Sequence, residues 1–258
     1  MLGTYLTEYL KDKYTVVPLT RKHLDLTEDE DNIWKFLKAN VNKDDIIINS
    51  AGMIPQRSPQ IIDMIKVNSI FPNILARFKK EVGCEVIHIT TDCVFNGRGE
   101  GEYLEDEPHN CEDVYGKSKS LGENDTLTMI RTSIIGEEKN NKKSLLEWVR
   151  GHEKGDEIFG YGDHFWNGIT CLELSKIIDK IIKSKNFWNG VRHIHSPSFV
   201  SKYVIVRMIN DIYKLGLEVR LKRTKTCDRT LSSISADIKV EKEIREQIKE
   251  LKEFKIDE

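Results

Sequence analysis

The chain has 258 residues, 39% hydrophobic and 32% charged, with a formal net charge of −2, which suits one large α/β domain or a domain with a smaller appendage. So slight a charge leaves no electrostatic footprint for nucleic acid or an anionic membrane, and a small molecule is the expected partner. No apolar run reaches the length of a membrane span and residues 1–20 lack a signal-peptide core. The five cysteines, Cys84, Cys93, Cys111, Cys171 and Cys227, form no C-x-x-C pair, so the expected setting is cytoplasmic, with reduced thiols and no metal site.

In chain order, strand-like apolar runs fall at residues 14–19 (YTVVPL), 45–49 (DIIIN), 85–90 (EVIHIT) and 126–131 (TLTMIR). Helical spacing fills 32–40, 60–82 and 113–123 between them. That alternation predicts a parallel sheet of βαβ units, and the unbroken apolar "DIIIN" predicts cover on both sheet faces. Beyond residue 136 the segments 143–152, 171–185 and 200–215 read as amphipathic helices, with one more strand at 191–195 (VRHIH). The alternating His193 and His195 suit a structural role. The tail from Lys239 to Glu258 carries Ile244, Ile248 and Leu251 at helical spacing among Lys and Glu, which predicts a solvated amphipathic helix. The expected division is residues 1–136 for a dinucleotide and 137–258 for the substrate, with room for the two to interleave.

"VYGKSKS", residues 114–120, places Tyr115 and Lys119 on one helical face. The pairing alone is weak, because Tyr9/Lys13 and Tyr203/Arg207 repeat it. Context separates them. In "HITTDCVFNG" (88–97) a strand ends in Thr90, Thr91 and Asp92, and in an open α/β sheet ligands bind at the carboxyl ends of strands. "IINSAGMI" (47–54) ends another strand in small residues, and "KVNSIFPN" (66–73) sets Asn68 within a helix.

These segments, with "MLGTYL", "DLTED", "RTSIIG" and "FWNGITCLELSKII", resemble the extended short-chain dehydrogenase/reductases, and within them the dTDP-4-dehydrorhamnose reductase-like sugar-nucleotide enzymes. The resemblance runs from Met1 to about Ser233, and Thr91 precedes Tyr115 by the family's spacing of 24 residues. It implies a doubly wound, Rossmann-like parallel sheet with a smaller C-terminal substrate domain, and NADPH-dependent reduction of a nucleotide-linked 4-keto-6-deoxy sugar, with NADH admissible and room for a homodimer. Tyr115 would give a proton to the carbonyl oxygen, Thr91 would hydrogen-bond that oxygen, and Lys119 would lower the tyrosine pKa and hold the cofactor ribose. Cofactor contacts would come from Gly3, Thr20, Arg21, Asp25, Leu26, Ala51, Gly52 and Asn68 as well as Tyr115 and Lys119, with Asn68 supporting Lys119 through water. Substrate contacts would come from Cys93, Val94, Phe95, Trp166 and Asn167.

At "LTRKHLD" (19–25) the expected second strand ends in Thr20, Arg21 and Lys22 with no acid before Asp25, which favours a 2′-phosphate and hence NADPH. Of the family's three phosphate-loop glycines only Gly3 is present, and the first strand is missing. The expectation is a start about ten residues upstream of Met1. Cys93 stands where the family usually has tyrosine, and Ile134 where it usually has an aromatic. The rival readings are an epimerase or dehydratase, against which "TTDC" lacks the usual Asp-Glu, and a non-catalytic regulatory subunit like the methionine adenosyltransferase beta subunit.

Overall fold

Four parallel strands converge into one sheet in the computed structural model, which describes residues 1–57, 59–139, 142–235 and 237–256. Chain order runs α1 (Leu2–Leu10), α2 (Glu30–Asn40), β1 (Ile46–Asn49), α3 (Ile61–Ile65), α4 (Phe71–Val82), β2 (Glu85–Thr91), α5 (Val114–Ser120), β3 (Thr128–Thr132), β4 (Ile134–Ile135) and α6 (Leu145–Arg150). It continues with β5 (Glu157–Tyr161), β6 (His164–Trp166), β7 (Ile169–Thr170), α7 (Cys171–Ser184), β8 (Gly190–His193), β9 (Val200–Ser201), α8 (Lys202–Tyr213), β10 (Glu218–Lys222), β11 (Cys227–Asp228) and α9 (Ile244–Glu253).

The main sheet has the order β1-β2-β3-β8, and every pairing in it is parallel. Side chains alternate across it as the pleat requires. Ile87, Ile89 and Ile130 join α1 and α7 in one buried cluster, while Val86, Met129 and Leu127 join α2 and α4 in another. Helices thus cover both faces, the doubly wound α/β arrangement expected. The fourth strand, β8, is returned to the sheet from the second half of the chain.

Helix ends follow local chemistry. Asp113 accepts from Gly116 N at 2.9 Å to start α5, and Thr170 and Ser201 cap α7 and α8 in the same way. Gly83, at φ 84°, closes α4 in a left-handed conformation that a side chain would strain. The tail helix α9 is amphipathic, as its spacing indicates. Its stripe of Ile244, Ile248 and Leu251 is buried in the main core, each contributing roughly 1.5–3 kcal/mol, and only the opposite face is solvated.

Two expectations about the first part are corrected. Residues 14–19 form no strand, and Val17 and Leu19 are 73% and 51% exposed. A strand needs a hydrogen-bonding neighbour, and among the described residues the sheet ends at β1, whose outer edge is unpaired. For the same reason "DIIIN" is incompletely covered: Ile46 is exposed, and only Asn49 of β1 is fully buried.

Candidate active site

The carboxyl ends of β1 and β2, the middle of the α3–α4 helix and the start of α5 meet at one place. The long helix passes through a π turn over Lys66–Ile70 that buries Val67, Asn68 and Ser69. The wider turn aims Asn68 at the loop following β1, where its amide donates to Met53 O and accepts from Met53 N, both at 2.9 Å. It also donates to the Ser118 hydroxyl at 3.0 Å. Asn68 therefore anchors the Ala51–Met53 loop directly to α5.

Two glycines let α5 approach this closely. A Cβ on Gly116 would lie 2.4 Å from the Cys93 carbonyl, and one on Gly122 would lie 2.1 Å from that of Asn68. Both contacts are too close for any side chain, so these residues set the distance between α5 and the elements carrying Thr91 and Asn68. Gly52 is placed beside Lys119 Nζ and the Asn68 amide, a Cβ there reaching each at 3.7 Å.

Within this frame the Thr91 hydroxyl lies beside the Tyr115 phenol, accepts from Cys93 N at 3.2 Å and donates to Asp92 Oδ1 at 3.1 Å. Thr90 points to the other face and donates to Glu123 at 2.8 Å. Lys119 is buried and donates to the Ile89 carbonyl at 3.0 Å. Burial pulls its ammonium down to about 8, against the opposing pull of Glu123. Tyr115 differs from expectation: burial, then the neighbouring Cys93 thiol, raise its pKa, and the Thr91 hydroxyl only partly offsets them. Lys119 is turned toward Ile89 O, so the phenol is held in its neutral form, the state a proton donor requires.

Behind the site lies a buried ion network. Arg131 forms charge-assisted bonds with Glu123 at 2.5 and 3.1 Å and donates to Nε2 of both His193 and His109 at 2.7 Å. Burial pushes Glu123 upward, but the adjacent His109 ring and the Arg131 bonds prevail and hold it at about 2. His193 donates from Nδ1 to Ser232 O at 2.6 Å, so its place is structural, as its strand position suggested.

The remaining expected residues separate into groups. Ala51 N is fixed by Asn49 Oδ1 at 3.1 Å, and Gly3 sits at the start of α1, where a Cβ would lie 3.1 Å from the Ser50 hydroxyl. Thr20 turns back on His23, Arg21 pairs with Asp25 at 2.8 Å, and Leu26 packs on the second core cluster. Asp25 is held at about 2 by the Thr27 backbone amide and hydroxyl and then by Arg21.

On the substrate side Cys93 borders the site, its thiol pushed up to about 12 by burial and then by Asp92. Val94 and Phe95 are corrected: both are fully buried, and Phe95 stacks on Tyr103 with centroids 4.1 Å apart, so neither side chain can face a ligand. Trp166 is nearly buried. Asn167 spends its amide on the Leu231 backbone, at 2.7 and 2.9 Å, and thereby tethers the Arg229–Leu231 segment. Sequence reasoning missed two residues beside Cys93. Arg229 donates to the Phe95 carbonyl at 2.8 Å and reaches the Cys93 sulfur at 3.7 Å, and Lys202 lies over the Trp166 ring at 5.2 Å. The only signal for Lys202 was a cation at the first position of a helix, and Arg229 carried none.

A doubly wound parallel sheet with a threonine, a tyrosine and a lysine gathered at its strand ends defines a Rossmann-like protein of the extended short-chain dehydrogenase/reductase class. Residues 1–234 match the model of the RmlD substrate binding domain, and the chain belongs to that family. It is 32% identical over 241 residues to the spore coat polysaccharide biosynthesis protein SpsK of Bacillus subtilis, covering 87% of this chain and 80% of that one. It is 29% identical over 218 residues to a dTDP-4-dehydrorhamnose reductase of Aggregatibacter actinomycetemcomitans, covering 78% and 72%. Among solved structures, a dTDP-4-dehydrorhamnose reductase of Clostridium acetobutylicum superposes with a TM-score of 0.80 at 25% identity, over 98% of this chain and 95% of that one. The Bacillus anthracis enzyme in complex with NADP shares the fold with a TM-score of 0.79 at 21% identity, over 97% and 94%. Among the described residues no helix is long and apolar enough to cross a membrane.

Proposed function

We propose that this protein is an NADPH-dependent reductase of a nucleotide-linked 4-keto-6-deoxy sugar, acting in the biosynthesis of a deoxyhexose donor. The observation that carries the reading is the Thr91 hydroxyl beside the Tyr115 phenol, with Lys119 one helical turn further on α5. The residues suit a nicotinamide cofactor. Among the described residues Lys119 uses one of its three N–H groups, on Ile89 O, and the glycine at 52 leaves the space beside its ammonium free of a side chain. The chemistry supplied when the reduced nicotinamide is bound is hydride transfer to the carbonyl carbon. Thr91 and Tyr115 orient the carbonyl oxygen, and Tyr115 Oη gives it a proton as negative charge develops there. Lys119 places a positive charge beside the ribose, and Asn68 holds the Ala51–Met53 loop against α5.

In this reading residues 1–136 hold mainly the cofactor and 137–258 the substrate. Arg21 and Lys22, with no acid before Asp25, would suit an adenosine 2′-phosphate, which favours NADPH with NADH as the weaker donor. A homodimer in the cytoplasm is the assembly proposed, and the free thiols of all five cysteines suit a reducing compartment.

The test is to incubate the protein with NADPH and a panel of nucleotide-linked 4-keto-6-deoxy sugars and follow cofactor oxidation. Substrate-dependent oxidation with at least one sugar is expected. A non-catalytic binding module would oxidise none.

A further inference from the structure

We propose that Lys202 is a specificity-determining residue that recognises the diphosphate of the nucleotide-linked substrate; the inference rests on the reductase reading above. Lys202 opens α8 immediately after the capping Ser201, and the first turn of that helix has no acidic residue. A cation at a helix N-terminus opposes the helix dipole, at a cost of about 0.3–1 kcal/mol, so its presence there calls for a compensating group. Among the described residues the ammonium has no hydrogen bond or ion pair, only the face of Trp166 at 5.2 Å.

The surroundings sharpen the need. Asp92 and Cys93, from the turn that follows Thr91, and Cys227 and Arg229 are the titratable and charged groups that act on Lys202. Burial pushes the ammonium below its ordinary range, Asp92, Cys93 and Cys227 draw it back up, and the charge of Arg229 adds a smaller downward push. Arg229 uses Nε on the Phe95 carbonyl and Nη1 on the Cys93 sulfur, which leaves Nη2 without a partner among the described residues. Of the carboxylates near these two half-buried cations, Asp92 is already engaged by the Thr91 hydroxyl and the Cys93 thiol, and Asp113 acts on Arg229 alone. Cationic N–H groups left without a hydrogen-bond partner in a partly buried site are complementary to an anion.

The diphosphate that a nucleotide-linked sugar carries supplies such an anion. Its oxygens can accept from Lys202 Nζ and Arg229 Nη2 together, and such charge-assisted bonds are the strong ones. Trp166 supplies a flat apolar wall that keeps water from the ammonium, which strengthens the interaction further.

The experiment measures binding by calorimetry to the full protein, using dTDP, UDP and GDP, with the nucleoside of the tightest binder as an uncharged control. For that nucleoside diphosphate, Lys202→Gln is expected to raise Kd about 10- to 100-fold, as for a lost charged hydrogen bond, and to leave nucleoside binding unchanged. Lys202→Arg is expected to recover most of the affinity, and with a turned-over sugar nucleotide the Gln variant is expected to raise KM far more than it lowers kcat. Equal affinity of wild type and Lys202→Gln for the diphosphate, with wild type binding it well, overturns the role of Lys202 while the reductase reading stands. An equal loss for nucleoside and diphosphate also overturns it, by showing that the residue merely supports the fold. If wild type binds none of the three diphosphates, the nucleotide-linked substrate itself fails, and the inference with it.

Discussion

Lowering the pH should weaken this fold well before its carboxylates titrate, because His193 is buried as a neutral ring. Burial, and then the adjacent Arg131 guanidinium, push its pKa from 6.5 down to about 4, against the smaller opposing pull of Glu105 and Ser232. In the unfolded chain the ring takes up a proton near pH 6.5; in the folded chain it does so only near pH 4. Between those values the unfolded state binds the extra proton, so stability is full above about pH 6.5 and falls as the pH is lowered toward 4. A difference of this size amounts to about 3 kcal/mol over the whole window, of which about 2 kcal/mol is lost between pH 7.5 and 5. His88, also buried and shifted well downward by burial and then by Lys119, adds in the same direction. The carboxylate of Glu123, held at about 2, gives way in a separate and lower window. Urea unfolding followed by circular dichroism at several values between pH 7.5 and 5 measures the slope. His193→Gln should remove up to one proton from it, about 1.4 kcal/mol per pH unit, whatever its effect on absolute stability. A wild-type stability that is flat between pH 7.5 and 5, or a Gln variant with the wild-type slope, would refute the reasoning.

Three further outcomes are expected. Thr91→Ala should lower kcat/KM by one to two orders of magnitude, while Thr90→Ala, whose hydroxyl meets Glu123 on the opposite face, should act chiefly on stability; steady-state kinetics with melting curves of both variants checks this, and a larger catalytic loss at Thr90 contradicts it. Arg21→Ala should shrink a preference for NADPH over NADH by roughly tenfold, read as the ratio of the two kcat/KM values, and an unchanged ratio would exonerate the residue. Ile248→Ala, in the fully buried stripe of α9, should cost about 2–4 kcal/mol in chemical denaturation, whereas a cost below about 0.5 kcal/mol would mean that α9 is not part of the core.

Where local pattern and tertiary environment agree, the sequence was legible. The runs at 85–90 and 126–131 became central strands because both faces and both edges found partners, and the stripe of Ile244, Ile248 and Leu251 became a docked helix. "YTVVPL" carries the same local pattern as those strands, but the ladder of hydrogen bonds that makes a strand is supplied by a neighbour, and none adjoins it. The opposite facing of Thr90 and Thr91 was foreseeable from strand alternation. Burial was less so: "CVF" reads as one continuous lining, yet the turn after β2 leaves Cys93 at the site and sends Val94 and Phe95 inward. The π turn that re-aims Asn68, and the convergence of Lys202 and Arg229 from separate segments, arise from packing between elements far apart in the chain and have no periodic trace.

The most direct test of the central claim is single-turnover reduction by wild type and Tyr115→Phe with the nucleotide-linked keto sugar that wild type turns over, with NADPH affinity measured in parallel. Loss of the proton donor should slow the chemical step by roughly 10²–10⁴-fold while leaving NADPH affinity within about twofold. A Tyr115→Phe protein that reduces the sugar at near the wild-type rate would contradict the account.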